Sequence, residues 1–468
     1  MTKTVFILGA GFSVPAKIPQ QNKLLKMIFS AEISDMSWST KIEKARPNIA
    51  DFVLRFFSDK TYIDFLDAQD TSILDFLIDH YDYLADKNIY SFSGNDMEEN
   101  LDYNKIIYEI SSLNDERKLD VIELIIDAKK QDHGLFNKKI FTYIETTKDK
   151  VTLEDVFTIL DKAIVSKEHF QLYDPSKLMI LREDFIFCII FLFNYYEEGE
   201  SPIYQELANY LANERVSKEY EKNQFSIITL NWDMTIEKNI FSVVKKSYDK
   251  AFKKIRLDYC VYDNDYDIVF NDEKRDDIYS TPSTLLKAKG YKNIKIMKLH
   301  GSVNWLTCRK CQRLYYSFKS HLALESFKED HFPVCPKCCV KKPFDKNSRT
   351  RIQADLITPT MIKDLNNVIL RNIWENAFLD LSEADRLVFI GYSLPQADFE
   401  FRYLMKKSIS SNVKIEVVLS TFDDPSLIDS KHSWIKTFLP EDRYRSFFPN
   451  DNIKFRYDGV EGFIKSLQ

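Results

Sequence analysis

At 468 residues the chain exceeds the usual single domain, so it is read as one large domain carrying an insertion, or as two domains. Its 44% apolar and 29% charged residues are close to globular averages, and a sizeable core is available. A net charge of −6 over this length gives no nucleic-acid footprint, and the basic stretches Lys341–Lys342 and Lys346–Arg351 read as solvated loop. Glycine is scarce, and four of the ten (Gly9, Gly11, Gly301 and Gly391) fall inside the motifs described below. A chain so sparing of glycine uses it where φ is positive or where the backbone must approach another group closely.

Thr4–Leu8 is a short apolar run ending at Gly9, as a buried parallel strand would. Val5–Ala16 has the length of a signal-peptide core, but only one lysine precedes it and Gly-Ala-Gly reads as a strand entering a turn. A helix is expected from Gln21 to about Phe29, with Leu24, Leu25 and Ile28 on one face. From Trp38 to Lys222 helical patterning dominates, as in Ile73, Leu74, Leu77, Tyr81 and Leu84, or Ile122, Ile125 and Ile126. Polar punctuations at Ser93–Asp96 and Gln131–Gly134 separate these helices. The apolar run Phe185–Phe193 would span roughly 14 Å as a helix, about half a hydrocarbon core, which makes it a buried helix and no membrane span.

Short apolar strands then return at Phe225–Leu230, Lys295–Leu299, Leu387–Ile390 and Lys414–Leu419, with helical patterns between several of them. The alternation predicts a doubly wound parallel α/β sheet, in which ligands bind beyond the carboxyl ends of the strands. The five strand ends carry Gly-Ala-Gly-Phe-Ser, Asn-Trp-Asp, His-Gly-Ser, Gly-Tyr-Ser and Ser-Thr-Phe-Asp-Asp.

Gly9, Ala10, Gly11, Phe12 and Ser13 form a strand-to-helix turn suited to a pyrophosphate, although Val14 breaks the standard dinucleotide fingerprint. Asn231 supplies two donors and an acceptor, which suits holding a ribose hydroxyl or a water, and Asp233 can join the same network. His300 can exchange a proton near neutral pH. Gly391 and Ser393 can face a phosphate or ribose, with Asp398 just downstream. Each also has a plain structural reading, respectively a tight turn, an Asx-turn, a core histidine and a strand stop. Cys308-x-x-Cys311 and Cys335-x-x-Cys338 match a closed tetrahedral thiolate zinc site, structural because four thiolates leave no open position. Cys339 could replace Cys338, Cys188 reads as core, and Cys260 has no visible role. Paired knuckles among seven cysteines point to a reducing compartment, the cytoplasm.

In its order of motifs the chain resembles the sirtuin (silent information regulator) family of NAD-dependent proteins. The motifs run Gly-Ala-Gly-x-Ser, Thr-x-Asn-x-Asp, His-Gly, paired cysteine knuckles and Gly-x-Ser. The resemblance implies that Gly9, Ala10, Gly11, Phe12 and Ser13 cradle NAD phosphates and that Asn231 and Asp233 line the nicotinamide–ribose pocket. It also implies that His300 is the general base and that Gly391 and Ser393 complete the cleft. The chain departs from deacylases in carrying Gln20-Gln21 after Ile18-Pro19, where they usually have Phe-Arg. Asp355-Leu356-Ile357-Thr358-Pro359 stands where their acyl-peptide-binding segment would be. In this and in its long helical stretch it looks like the divergent sirtuin-like proteins of bacterial anti-phage systems, which hydrolyse NAD.

These readings give a Rossmann-like sirtuin domain at 1–37 and 223–468, a helical insertion at 38–222, and a four-cysteine zinc module at 306–342. The expected activity is NAD glycohydrolysis with Asn231 and His300 catalytic, NAD as substrate and zinc structural. The alternatives are an NAD-dependent protein deacylase and a non-catalytic NAD- or ADP-ribose-binding subunit. By analogy the protein forms a homo-oligomer and works beside a DNA-translocating ATPase or an Argonaute-like partner, with no membrane association.

Overall fold

The computed structural model describes residues 2–30, 36–57, 152–170, 173–197, 200–270, 279–280, 292–328, 332–339, 350–354, 356–358, 367–423, 439–448 and 453–467. The helical patterns at 73–84 and 122–126, the punctuations at 93–96 and 131–134 and the basic pair at 341–342 lie outside the described residues. The chain divides into two compact units, Met1–Leu24 with Ile189–Gln468, and Leu25–Cys188.

The second unit is helical, built from α1 (Gln21–Ser30), α2 (Met36–Phe57), α3 (Leu153–Ser166) and the first part of α4 (Pro175–Tyr196). Its core draws on Ile49, Phe52 and Val53 of α2, Val156, Phe157 and Leu160 of α3, and Leu178, Leu181 and Phe185 of α4. A capping box starts α3: Asp155 N–H donates to Thr152 Oγ1 at 3.1 Å, and Thr152 N–H donates to Asp155 Oδ2 at 3.1 Å. Each bond satisfies a donor that the first helical turn would otherwise leave open. Phe185–Phe193 is buried along α4, as the apolar run predicts. Among the described residues no helix is long and apolar enough to cross a membrane.

The larger unit holds eleven described strands. These are β1 (Thr2–Leu8), β2 (Asn223–Thr229), β3 (Ile255–Asp258), β4 (Asp263–Asp265), β5 (Tyr279–Ser280), β6 (Lys292–Lys298), β7 (Trp305–Cys308), β8 (Arg313–Tyr316), β9 (Arg386–Ile390), β10 (Lys414–Val418) and β11 (Ile453–Arg456). Its helices are α5 (Pro202–Val216), α6 (Thr235–Lys246), α7 (Tyr266–Phe270), α8 (Val368–Ser382), α9 (Phe399–Ser408), α10 (Pro440–Phe447) and α11 (Gly459–Lys465). Seven strands form one sheet in the order β11-β10-β9-β1-β2-β6-β3, and every neighbouring pair is parallel. The central strands are apolar without alternation because helices cover both faces. Thus Val5–Leu8, Ile227, Ile228 and Leu387–Ile390 are all buried. One helix group, α5 with α6 and α11, and another, α8 with α9, both reach β6 through α5 and α8. The fold is therefore a doubly wound parallel α/β sheet.

From β1 the chain passes to β2, out to the edge strand β3 and back to β6 between them, then crosses to the other flank for β9, β10 and β11. That reversal is the topological switch point, the place in the sheet where doubly wound folds bind their ligands. The register brings the motifs there: Leu8 pairs with Thr229 and Ile390, Thr229 with Lys298, and Ile390 with Val418. One row of last strand residues thus precedes the turns that carry the candidate groups.

A second, four-stranded sheet, β5-β4-β8-β7, carries the cysteines. Its small core comprises Leu306, Cys308, Tyr315, Leu322, Cys335 and Ile352, with Tyr266 and Phe270 of α7 packed against it.

Candidate active site

The glycines at the ends of β1 and β9 are fixed by the approach of two backbones. Gly9 N–H donates to Ile390 O at 3.1 Å and Gly11 N–H to Gly391 O at 2.8 Å. A Cβ on Gly391 would lie 2.1 Å from Phe12 N and 2.3 Å from Gly11 C, at a φ of +61°. The amides of Gly9 and Gly11 are thus engaged by the end of β9, and that of Phe12 by Gly9 O within the turn at 2.9 Å. Phe12 is buried and packs edge-on against Tyr204 of α5, whose hydroxyl donates to Phe12 O. Ala10 is the exposed residue of the turn.

Around this turn a directional hydrogen-bond chain forms. The Ser13 hydroxyl donates to Asp233 Oδ2 at 2.7 Å, which leaves Ser13 Oγ as an acceptor. Asn231 Nδ2 donates to that oxygen at 3.1 Å and to Gly9 O at 2.8 Å. With both amide protons committed, Asn231 presents its carbonyl oxygen as an acceptor. Asp233 is itself held, because its Oδ1 accepts from Thr235 N at 2.9 Å at the start of α6. The residues expected at the ends of β1 and β2 are thereby brought into one network.

His300 follows β6 by two residues and is buried. Its carbonyl accepts from Trp232 Nε1 at 3.0 Å and from Ile357 N at 3.0 Å, so the main chain is pinned on both sides. Leu356 forms an antiparallel bridge with Gly301, which places Leu356–Ile357 alongside the His-Gly turn. His300 Nε2 stands 3.9 Å from Asp398 Oδ1, and the other Asp398 oxygen accepts from the Tyr392 hydroxyl at 3.0 Å. Burial first, and the Asp398 carboxylate second, push the Tyr392 phenol well above its usual range, so it remains a proton donor. Asp398 and Tyr392 are the partners that sequence reasoning did not assign; the histidine was visible, but not the carboxylate that the β9 turn brings to it. Ser393 is exposed, and the bond shown for it is the one its carbonyl accepts from Arg443 Nε at 2.9 Å.

Beneath these turns lie two buried charged clusters. Lys298, the last residue of β6, donates to Asp233 O and to Glu237 Oε1, the latter at 2.8 Å. Glu197 accepts from Met234 N at 3.1 Å and from Lys238 Nζ at 2.6 Å, and pairs with His321. Burial alone would raise the Glu197 carboxyl, but the His321 bond and charge, with Lys238, outweigh it and hold it down at about 2. A shallow depression of about 300 Å³ lined by Arg386, Lys414, Ile415, Glu416 and Lys454 lies along β9–β11, toward the opposite ends of those strands.

The four expected metal ligands converge. Cys308, Cys311, Cys335 and Cys338 place their sulfurs within 4.8 Å of one another, with 3.9 Å between Cys308 and Cys338 and 3.5 Å between Cys311 and Cys335. A tetrahedral ion with Zn–S bonds of about 2.3 Å needs sulfurs about 3.8 Å apart, so the set fits zinc. The Tyr315 hydroxyl stands 3.1 Å from Cys335 Sγ, as a donor supporting a thiolate ligand would. None of the seven cysteines is in a disulfide.

No family model and no curated protein matches the chain. Among solved structures it matches a sirtuin described for the structural basis of substrate affinity, at 12% identity over 99% of this chain and 91% of that one, with a TM-score of 0.31. It also matches a Sir2 structure with a peptide and NAD+, at 11% identity over 99% and 91% of the two chains, with a TM-score of 0.29. A third match is an ADP-ribose complex of a mutant Sir2 homologue, at 11% identity over 99% and 90% and a TM-score of 0.31.

Proposed function

We propose that the protein binds NAD at the switch point and cleaves its nicotinamide–ribose bond to give nicotinamide and ADP-ribose. The observation that carries this reading is the chain Asn231→Ser13→Asp233, which ties the β1 turn to the β2 turn and leaves one carboxamide oxygen as an acceptor. Such an acceptor suits a ribose hydroxyl or an attacking water. On this reading the phosphates pass over Gly9, Ala10, Gly11, Phe12 and Ser13, with Gly391 packed against that turn and the exposed Ser393 beyond it.

In the reaction the C–N glycosidic bond breaks, its electron pair leaves with nicotinamide, and a ribosyl cation of oxocarbenium character forms. Asn231 orients the water that attacks the anomeric carbon, and His300 takes the proton that the water loses. The Asp398 carboxylate, 3.9 Å from His300 Nε2, stabilises the imidazolium so formed. Four cysteine ligands would hold zinc in the second sheet as a structural brace.

The sequence resemblance extends the reading to an NAD-depleting effector of anti-phage defence. Such an effector would work in the cytoplasm as a homo-oligomer with a DNA-translocating ATPase or an Argonaute-like partner. On this reading residues 1–37 and 223–468 carry the NAD domain, 306–342 its zinc module, and 38–222 an insertion, of which α5 packs on the sheet and the helices before it serve docking. The test is nicotinamide release from NAD by the full chain, with Asn231→Ala and His300→Ala each expected to lose at least ~100-fold in kcat. Undiminished turnover in Asn231→Ala would refute the assignment. Turnover that requires an acylated lysine peptide would replace hydrolysis by deacylation.

A further inference from the structure

Lys298 is out of place by composition. It ends a strand whose neighbours Ile294, Ile296, Met297 and Leu299 are core, and its own side chain is 1% exposed. An ammonium buried so completely carries a large desolvation penalty, and its ion pair with Glu237 offsets that only in part. Glu237 Oε2 has no hydrogen-bond partner, so the pair is incompletely satisfied. Two apolar side chains of similar volume would serve the core at least as well. What Lys298 provides and an apolar residue cannot is a donor to the main-chain carbonyl of Asp233.

That carbonyl belongs to the turn that carries the candidate groups. The same stretch after β6 grips the turn through two further bonds, both at Trp232 O. Val303 N–H donates to Trp232 O at 3.0 Å, and the Ser302 hydroxyl to the same oxygen at 3.2 Å. Lys298 contributes the charged contact of this clamp, at the residue whose carboxylate accepts from the Ser13 hydroxyl and from Thr235 N–H at the start of α6.

We infer that Lys298 is a positioning residue: its ammonium tethers the Asp233 carbonyl and so sets the Asn231–Asp233 turn against the Gly9–Ser13 turn. Glu237 is the counter-charge that lets the ammonium be buried there. The functional consequence rests on the NAD reading above, whereas the tether itself does not.

The test separates tether from fold. Lys298→Met leaves Glu237 buried without its partner and is expected to lower Tm sharply. Lys298→Met/Glu237→Gln removes both charges while keeping the side-chain volumes, and its Tm is expected to return close to that of the wild type. In that double variant of the full chain, hydrogen–deuterium exchange is expected to rise at least tenfold at residues 231–235, with β1, β2 and β9 unchanged. ADP-ribose affinity, measured by calorimetry, is expected to fall at least tenfold. Wild-type exchange at 231–235 in a double variant with restored Tm would overturn the tether. A wild-type chain that binds no ADP-ribose would overturn the NAD reading and leave the exchange result to decide the tether.

Discussion

Replacing Gly391 by alanine tests whether the ends of β1 and β9 are held as closely as described. The added methyl would sit 2.1 Å from Phe12 N and 2.3 Å from Gly11 C, and both are backbone atoms that cannot swing aside. The residue also has φ +61°, where a non-glycine residue costs roughly 1–2 kcal/mol. Relieving the clash must part the two turns, at an overpacking cost of about 1–3 kcal/mol. The parting also breaks the 2.8 Å bond from Gly11 N–H to Gly391 O, worth about 1 kcal/mol. A destabilisation of about 4 kcal/mol is expected. Gly459→Ala supplies the control: its φ is +67°, but nothing lies within 4 Å of the added carbon, so only the conformational cost of about 1 kcal/mol remains. Urea unfolding followed by tryptophan fluorescence should give a much lower midpoint for Gly391→Ala at similar slope. Equal loss in the two variants would show that the β1–β9 contact is looser than the argument requires.

Glu197 gives the fold a signed pH dependence. Its folded carboxyl lies at about 2 against an ordinary 4.5, so ionised Glu197 stabilises the fold above about pH 4.5. That contribution is lost as pH falls toward 2. Glu197→Gln should lose about 3 kcal/mol at pH 7 and show a flatter stability profile between pH 5 and 2; a profile parallel to the wild type would assign the effect elsewhere. Cys335→Ser should abolish stoichiometric zinc in the purified chain and lower Tm, because Cys335 lies in the core of the small sheet as well as among the ligands. Full zinc occupancy in that variant, measured by plasma emission spectroscopy, would exclude Cys335 as a ligand.

The central strands were legible because both faces of a parallel sheet are covered, so β1 and β9 read as apolar runs, and β2, β6 and β10 as apolar stretches interrupted by Ser226, Lys295 and Glu416. Edge strands carry no such signal. Ile255–Asp258 and Ile453–Arg456 mix charge with apolar residues, and their strand character comes from pairing with β6 and β10. The hairpin β7–β8 was hidden for a related reason: its core is small, and the cysteines supply part of it. Helical periodicity also says nothing of what a helix packs on. α5 reads like the helices before it, yet it packs on α6 and β6.

In the site, the chemical groups were legible and their partners were not. Asn231, Ser13 and Asp233 stand out at strand ends, and the bonds among them follow from the register of β1 with β2. Asp398 faces His300 only because the β9 turn folds back, with positive φ at Gly391 and again at Leu394. Lys298 carries no sequence signal that sets it apart from other strand lysines. Its burial depends on Glu237 of α6, which sequence spacing does not bring near.

The most direct measurement is the position of NAD or ADP-ribose in a crystal of the full chain grown with the ligand. The account predicts the pyrophosphate over the Gly9–Ser13 turn and the nicotinamide ribose beside the Asn231 carbonyl oxygen and His300. A ligand bound elsewhere, or saturating NAD that leaves this site empty, would contradict it.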